Sequence, residues 1–461
     1  MHDAITSSEF SNLLCAVFPV ASPKPGPKSS PKSDLKYGSG IAAAVSGGAD
    51  SLALTLLLGQ WCKSNDVALT ALTVDHGLRP EAKDEALQIG RWLKKYDIRH
   101  VVLNWQGAKP SRNIQDRARI ARYQLMGEWC QNNDVNNLFL GHHEGDQAET
   151  FLIRLFRGSG VDGLSAMRGK SDFPVPLARR GDVHLCRPFL GVTKKRLEAT
   201  LRQMDQPWIE DPSNQNESYT RIKVRKMLRD SEIDGLNAQR MAQTATRMGR
   251  VQSLLQSMTA GLTQEAVTVY PEGYMRVNMA RLMSAHEEIA LRCLSSLVKK
   301  ISGSRYIPRF SRVEALYNNL KQVDFSGQTL GGCLVSPVKE TSGADHIIIS
   351  REIAAIEHKA ALGNCGPYLW DQRFEIDSID GARIVKKLEL AEWRRLCSDY
   401  PDLKKLKLPK KILYSLPCMI LMNGDVILPN FIPGFEEKGF KAIFRSGYEK
   451  NGLDMKKTGW I

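Results

Sequence analysis

Short apolar runs alternate with longer segments of helical periodicity from residue 41 onward. Runs typical of buried strands cover residues 41–45, 67–76, 99–105, 137–143 and 184–190. Between them, apolar residues recur every three or four positions, as they do in helices, over residues 50–64, 80–96, 113–132, 146–157 and 194–204. Strands that alternate with helices of this length predict an α/β fold in which helices cover both faces of a parallel sheet.

The pattern changes on both sides of this region. The start of the chain holds a short amphipathic segment, followed by a stretch rich in Pro, Ser, Lys and Gly that predicts a flexible linker. Residues 235–300 are mainly helical in pattern, and short strands punctuated by glycine follow from about residue 326. We predict an N-terminal extension (1–21), a linker (22–40), a catalytic α/β domain (41–230), a helical or mixed domain (231–360) and a basic α+β domain (361–461).

Composition and charge narrow the class of protein. Of 461 residues, 42% are hydrophobic, and no apolar run reaches the length of about 18 residues that a membrane helix needs, so we expect no membrane partner. The net charge of +14 favours a polyanionic partner such as nucleic acid. The first 20 residues do not resemble a secretion signal, and the nine cysteines form no C-x-x-C pair. Both features fit a reducing cytoplasm.

The sequence SGGADS (46–51) ends the first predicted strand and opens the first predicted helix. Parallel sheets bind ligands beyond the carboxyl ends of their strands. Glycines allow the backbone to approach an anion closely, and the free amides at a helix start favour phosphate. Ser46 and Ser51 add hydroxyl donors, whereas Asp50 must act through a magnesium ion or as a backbone cap. We therefore predict a phosphate-binding loop.

Two common nucleotide-binding motifs do not account for this loop. The pattern G-x-x-x-x-G-K-[ST] is not present in it. Residues 158–163 (GSGVDG) match G-x-G-x-x-G, but they follow a predicted helix rather than a strand, so we do not expect a dinucleotide site there. We expect a flexible loop near the active site instead.

The SGGADS loop resembles the signature of the PP-loop ATP pyrophosphatases, which cleave ATP between the α- and β-phosphates and have a Rossmann-like domain. Further motifs make residues 40–230 similar to the tRNA(Ile)-lysidine synthase family. In chain order they are VDHGLR (74–79), ARIARY (118–123), GHHEGDQAET (141–150), RGSGVDGLSAM (157–167), WIEDPSN (208–214) and YTRIKVR (219–225). The C-terminal third is similar more weakly, through LWDQRFEI (369–376).

Charged pairs within these motifs suit the chemistry of that family. Asp146 and Glu149 lie three residues apart at a predicted helix start, so they share one face and suit a cationic amino acid or a metal ion. Arg119 and Arg122, three residues apart, could hold the phosphate as charge develops on it. Arg221 and Arg225, four apart, could hold the substrate carboxylate or the tRNA backbone.

The resemblance implies ligation of free L-lysine to the isoleucine tRNA that carries a CAU anticodon, with ATP as co-substrate and Mg²⁺ as metal. The implied catalytic residues are Asp50, Arg122, His143 and Asp146. The implied ATP site comprises Ser46, Gly47, Gly48, Ala49, Asp50, Ser51, Asp75, His76 and His142, with magnesium on Asp50. The implied lysine site comprises Asp146, Glu149 and Arg221. The expected tRNA contacts are Arg119, Arg225, Lys404, Lys405, Lys407, Lys410 and Lys411. A homodimer is compatible with the sequence.

The chain departs from the family pattern at two positions. The family usually has H-H-x-D-D-Q-x-E-T, but here Gly145 stands in place of the first Asp, which would weaken magnesium binding unless Glu144 compensates. Ile222 stands where Asn is common. Three alternatives remain open at this point: a tRNA thiolase, disfavoured because no paired cysteines are present; a glutamine-dependent ligase, which lacks an evident glutaminase half; and an inactive tRNA-binding homologue.

Overall fold

The computed structural model of the protein describes most of the chain. The described residues are 3–18, 40–77, 81–107, 114–175, 183–210, 220–304, 306–338, 345–356, 360–361, 368–377, 382–406, 408–429 and 441–445. The chain divides into two compact units, residues 1–252 and 253–461. The predicted linker falls outside the described residues except for Gly40. Within the described ranges, every helix is too short or too polar to span a membrane.

A six-stranded sheet lies at the centre of the first unit. Its strands are β1 (Ile41–Ala44), β2 (Leu69–Asp75), β3 (Arg99–Asn104), β4 (Asn137–Phe139), β5 (Lys170–Asp172) and β6 (His184–Cys186). Their order is β3-β2-β1-β4-β6-β5, and all pairs are parallel except β5 with β6. The predicted parallel α/β fold is therefore confirmed. β5 adds an antiparallel edge that the sequence pattern did not predict.

Helices follow the strands on both faces of this sheet. The helices of the first unit begin with α1 (Ser7–Val17), α2 (Ala49–Asn65), α3 (Ala82–Lys94), α4 (Ile114–Asn132) and α5 (Glu144–Phe156). They continue with α6 (Val161–Leu164), α7 (Lys194–Gln203), α8 (Thr220–Asp230) and the first part of α9 (Ala238–Ala266). One apolar core joins α2, α3 and α7 to the sheet, and a second joins α4 to the opposite face. The glycine-rich segment 158–163 follows α5 and runs into α6, so it does not follow a strand.

The N-terminal helix α1 packs into the core of the first unit. Phe10 and Leu14 are almost fully buried, and the Phe10 ring lies edge-on to Phe189 at 6.0 Å between centroids. The Arg196 guanidinium on α7 donates two hydrogen bonds to the Glu9 carboxylate, at 2.6 and 2.7 Å. Residues 3–18, which belong to the predicted N-terminal extension, are therefore part of the folded first unit.

Antiparallel sheets dominate the second unit. Its strands are β7 (Val267–Tyr270), β8 (Tyr274–Asn278), β9 (Gln328–Leu330), β10 (Cys333–Val338), β11 (His346–Arg351), β12 (Ala360–Ala361), β13 (Tyr368–Trp370), β14 (Phe374–Asp377), β15 (Ala382–Lys387), β16 (Pro417–Leu421), β17 (Val426–Ile427) and β18 (Lys441–Phe444). They form sheets of order β7-β8-β11-β10-β9, β12-β15-β16-β17 and β13-β14-β18. The α-helices that begin in this unit are α10 (Met279–Ser284), α11 (Glu287–Ser302), α12 (Phe310–Leu320), α13 (Leu390–Asp399) and α14 (Lys410–Leu413).

A buried ion-pair cluster lies within the apolar core of the second unit. The Asp371 carboxylate accepts hydrogen bonds from Arg351 at 3.0 Å and from Arg373 at 2.6 Å. Residues 235–300, predicted to be mainly helical, contain β7 and β8 as well as helices. The sequence-based boundaries near 230 and 360 stay predictions.

Candidate active site

The loop between β1 and α2 is held in shape by its own serines. The Ser51 hydroxyl donates to the Gly48 carbonyl at 3.1 Å and accepts from the Ser46 amide at 3.1 Å. Gly48 is the N-cap of α2 and has no side chain to satisfy the free amides of the first helical turn. These amides are available to an anion, as the sequence predicts for a phosphate-binding loop.

Gly47 must be a glycine for two reasons. Its φ of +87° lies in the left-handed region, which favours glycine. A Cβ there would also lie 2.8 Å from the Ile209 side chain, whose backbone amide donates to the Gly47 carbonyl at 2.9 Å. Ile209 thus fixes one side of the loop.

The end of β4 packs directly against the first turn of α2. A Cβ on Gly141 would lie 2.8 Å from the carbonyl carbon and oxygen of Asp50 and 3.0 Å from the Ser51 amide nitrogen. This close approach brings the two histidines that follow Gly141 to the phosphate-binding loop.

His143 caps α5 and faces two carboxylates. Its Nδ1 accepts a hydrogen bond from the Gly145 amide at 2.9 Å, which leaves the ring hydrogen on Nε2. That Nε2 lies 3.7 Å from Oδ2 of Asp50 and 3.7 Å from Oδ2 of Asp146. Asp146 in turn accepts from the His143 backbone amide at 3.1 Å, which completes a capping box. The His143 ring therefore lies between the carboxylates of α2 and α5.

His142 has a different environment. Burial lowers the pKa of its imidazole to about 3. The charge of Asp146 opposes this shift, whereas the charges of three arginines favour it: Arg187, Arg221 and Arg119. Its Nδ1 is buried without a hydrogen-bond partner. His142 is therefore a neutral imidazole at physiological pH, with hydrogen-bonding capacity left for a ligand.

Asp50 presents a carboxylate oxygen that is free for a ligand. Burial raises the pKa of its carboxyl, and its Oδ1 is buried without a hydrogen-bond partner. Within the described residues, no three His, Cys, Asp or Glu side chains cluster closely enough to hold a metal unaided. Mg²⁺ commonly binds through one or two carboxylates together with substrate phosphates, so Asp50 fits a magnesium ion that arrives with ATP.

Glu149 lies at the centre of a charge network between α5 and α8. Its side chain is 3% exposed, and Oε1 accepts from Nε of Arg225 at 2.6 Å. Nε of Arg221 lies 3.6 Å from Oε2, which has no hydrogen-bond partner. Burial alone would lower the pKa of Arg225, but the hydrogen bond and charge of Glu149, followed by the charges of Asp146 and Asp50, raise it. The predicted lysine-site residues and the phosphate-binding loop therefore lie within electrostatic reach of one another.

Gly145 is explained by the position of the His143 ring. A Cβ at residue 145 would lie 2.7 Å from Cε1 of His143 and 3.1 Å from its Nδ1. A side chain at this position would therefore displace the ring that joins Asp50 to Asp146. Burial raises the pKa of the neighbouring Glu144 carboxyl.

The remaining predicted residues of the first unit lie at the ends of β2 and on α4. Asp75 Oδ1 accepts from the Gly77 amide at 2.8 Å, and the His76 ring lies edge-on to Trp105 at 5.9 Å. On α4, Arg119 and Arg122 both lie over the Tyr123 ring, with Cζ 5.2 and 5.6 Å from its centroid. Arg119 also acts electrostatically on His142.

The predicted lysines lie in the second unit. Lys404, Lys405 and Lys410 are exposed, and Lys405 pairs with Asp402 at 2.7 Å. Lys411 is half-buried and donates to the Ser336 hydroxyl at 2.5 Å, so it has a structural contact within its own unit. Lys407 lies outside the described residues.

Arg187 is a residue that sequence reasoning missed. It follows β6, where Cys186 pairs with Phe139 of β4, so it lies beside the start of the segment that carries His142. Its side chain is almost fully buried, and its charge acts on His142. A single arginine in a predicted strand gives no signal by which the sequence could have identified it.

The chain matches the PP-loop domain family over residues 29–232. It is 35% identical over 387 residues to a tRNA(Ile)-lysidine synthase of Wolbachia pipientis wMel, covering 83% of this chain and 86% of the relative. It is 36% identical over 413 residues to a tRNA(Ile)-lysidine synthase of Ruegeria pomeroyi, covering 89% and 92%. Among solved structures, a U34-tRNA thiolase from Methanococcus maripaludis aligns with a TM-score of 0.39 at 16% identity, over 48% of this chain and 74% of that one.

Proposed function

The chain belongs to the tRNA(Ile)-lysidine synthase family, and on that premise we propose that it ligates free L-lysine to the wobble cytidine of the isoleucine tRNA with a CAU anticodon. It is a ligase that forms a C–N bond and converts ATP to AMP and pyrophosphate. The product, lysidine, changes decoding from AUG to AUA. The observation that carries the proposal is the charge network in which Glu149, Arg221 and Arg225 adjoin Asp146 and Asp50 beside the phosphate-binding loop.

In the first step, the C2 carbonyl oxygen of the cytidine attacks the α-phosphate of ATP, and pyrophosphate leaves. The free amides of the loop, with the hydroxyls of Ser46 and Ser51, bind the departing phosphates. Arg122 stabilises the negative charge that develops on the α-phosphate, and neutral His142 donates or accepts a hydrogen bond at the adenylate. Asp50 would hold Mg²⁺, which supplies further charge neutralisation to the phosphates.

In the second step, the ε-amine of lysine attacks C2 of the cytidine and expels AMP. Asp146 and Glu149 orient the lysine side chain, and Arg221 binds its carboxylate. The attacking amine must lose a proton, because a free lysine ammonium has a pKa of about 10.4. His142 is too weak a base for this task, since its pKa is about 3. Transfer of the amine from water into the site favours its neutral form.

The tRNA backbone requires a separate set of cations. Exposed Lys404, Lys405 and Lys410 are suited to phosphate contacts, which set affinity and register rather than the choice of base. Lys411 is less suited, because it is half-buried and already bonded to Ser336. Arg225 is also less available than its sequence suggests, since it pairs with Glu149.

The thiolase alternative is disfavoured by the cysteines. Burial raises the pKa of six described thiols to about 11 or 12, so they remain protonated and unreactive at neutral pH: Cys62, Cys130, Cys186, Cys293, Cys333 and Cys418. Sulfur transfer needs thiolates, and this set does not supply them.

The test is to incubate the protein with ATP, Mg²⁺, radiolabelled lysine and a tRNA transcript bearing CAU. We expect lysine to be retained on the tRNA, and retention to disappear when the wobble cytidine is changed. The Asp146→Ala variant should lose retention while still binding the tRNA. Retained binding without any pyrophosphate release by the wild type would instead support an inactive tRNA-binding homologue.

A further inference from the structure

The residue that precedes the phosphate-binding loop is bonded to β2 through both of its backbone polar groups. Val45 lies directly before the loop and just beyond the end of β1. Its amide donates to the Leu72 carbonyl at 2.9 Å, and its carbonyl accepts from the Thr73 hydroxyl at 2.9 Å. Val45 and Thr73 are both buried. The Thr73 side chain therefore continues the attachment of the first strand to β2 as far as the point where the loop begins.

A histidine on the edge strand of the sheet orients this hydroxyl. Nε2 of His100, on β3, lies 2.8 Å from Oγ1 of Thr73. A carbonyl oxygen can only accept, so the single hydroxyl hydrogen of Thr73 is donated to Val45. Nε2 of His100 is therefore the donor to Thr73. The resulting chain of hydrogen bonds runs from β3 through β2 to the end of β1.

Close packing against α3 holds the His100 ring in place. A Cβ at Gly90, on α3, would lie 3.1 Å from Nδ1 of His100, so the glycine leaves the room that the ring occupies. Burial lowers the pKa of the imidazole, which is therefore neutral at pH 7 and carries one ring hydrogen. With that hydrogen on Nε2, the ring supplies the hydrogen bond to Thr73.

The peptide group between Val45 and Ser46 connects this chain of hydrogen bonds to the loop. The group is planar, so a contact that fixes its carbonyl also fixes the direction of the Ser46 amide. That amide donates to the Ser51 hydroxyl at 3.1 Å, and Ser51 lies in the first turn of α2. Thr73 therefore acts, through one rigid peptide, on both serines at the ends of the loop.

We propose that Thr73 is a positioning residue for phosphate binding: its hydroxyl, oriented by His100, fixes the Val45 carbonyl and with it the direction in which the loop leaves the sheet. This inference rests on the proposed function, in which the loop binds the departing phosphates, and adds Thr73 and His100 to it. Neither side chain touches a reacting atom, since both act through Val45.

The Thr73→Val variant removes the hydroxyl and keeps the shape of the side chain. We expect KM for ATP to rise about tenfold, as for loss of a buried hydrogen bond, while the affinity for tRNA changes less than about twofold. Thr73→Ser keeps a hydroxyl and should restore the wild-type KM. The matched control is Thr70→Val, a threonine of the same strand that is 8% exposed and pairs with Ala42, and it should behave as the wild type. An unchanged KM in Thr73→Val overturns the proposal.

A double-mutant cycle tests the part assigned to His100. His100→Phe removes the donor and keeps an aromatic ring beside Gly90. If His100 acts through Thr73, KM for ATP rises about threefold in His100→Phe and does not rise further when the same change is made in Thr73→Val. Multiplicative increases in the double variant overturn this part of the proposal. Should Thr73→Val fold poorly, His100→Phe alone carries the test, and an unchanged KM in it overturns the proposal.

Binding of inorganic pyrophosphate with Mg²⁺, measured by calorimetry, gives a readout that needs no turnover. We expect about tenfold weaker binding in Thr73→Val than in the wild type. Equal affinities, or a wild type that binds no pyrophosphate, overturn the inference. A wild type that binds pyrophosphate more tightly than Thr73→Val but ligates no lysine contradicts the proposed function instead, so the two failures are distinguishable.

Discussion

Replacement of Gly141 by alanine tests how the active site is assembled. A Cβ at this residue would lie 2.8 Å from the carbonyl carbon and oxygen of Asp50 and 3.0 Å from the Ser51 amide nitrogen. These are backbone atoms of α2, so they cannot rotate away as a flexible side chain would. The end of β4 and the start of α2 must therefore separate by several tenths of an ångström.

The separation has a cost for stability and a larger one for activity. Overpacking of this kind costs about 1–3 kcal/mol of unfolding free energy. It also moves His143 away from Asp50. In the wild type, Nε2 of His143 lies 3.7 Å from Oδ2 of Asp50. Because misplacement of catalytic groups by about 1 Å can reduce a rate about a hundredfold, we expect lysine ligation to fall by about one to two orders of magnitude.

The assay combines urea unfolding with the rate of lysine ligation, for Gly141→Ala and for Gly191→Ala. Gly191 is a suitable control because a Cβ there would meet no heavy atom within 4 Å. We expect the control to match the wild type in both measurements. If Gly141→Ala is as stable and as active as the wild type, the close approach of β4 to α2 does not position the site.

Three further predictions concern ionisable side chains. Glu149→Gln should raise KM for lysine about ten- to a hundredfold, because a neutral amide lacks the charge that orients the lysine side chain. An unchanged lysine dependence of the rate would contradict this role. The imidazole of His142 should remain neutral from pH 8 to pH 5 in an NMR titration, since burial lowers its pKa to about 3; a midpoint above pH 5 would be inconsistent with that burial. Arg196 lowers the pKa of Glu9 below 4.5, so the stabilisation from this carboxylate is present above pH 4.5 and is lost as the pH falls further. The stability difference between wild type and Glu9→Gln, measured by urea unfolding, should therefore shrink from pH 7 to pH 3.5. A constant difference would refute the assignment.

The parallel sheet could be predicted because its strands are short apolar runs flanked by periodic helices. The predicted strand 41–45 corresponds to β1, Ile41–Ala44, and the predicted helix 50–64 to α2, Ala49–Asn65. β5 could not be predicted, because its three residues, Lys170–Asp172, carry no apolar signal. Its place is determined by pairing with β6, which is a long-range contact.

The surface against which α1 packs could not be predicted from the local sequence pattern either. The amphipathic segment was visible, but its partners on α7 lie about 190 residues later in the chain. The sequence predicts a helix with one apolar face and does not say which surface covers that face.

The sequence predicted which residues form the candidate site, but it did not decide the role of each one. Two adjacent histidines follow β4, and no spacing rule decides which of them is structural. The structure makes His143 the cap of α5 and leaves the buried Nδ1 of His142 without a hydrogen-bond partner. Glu149 was predicted to share a face with Asp146, but its burial against Arg225 depends on α8, about 75 residues away.

The central claim is tested most directly by mass spectrometry of the wobble nucleoside after reaction of the full-length protein with ATP, Mg²⁺, lysine and the CAU-bearing isoleucine tRNA. The account predicts a cytidine heavier by one lysine less one water, formed together with one equivalent of AMP, and no such product from Asp146→Ala. An unmodified cytidine despite bound tRNA, or a nucleoside that has gained sulfur, would contradict it.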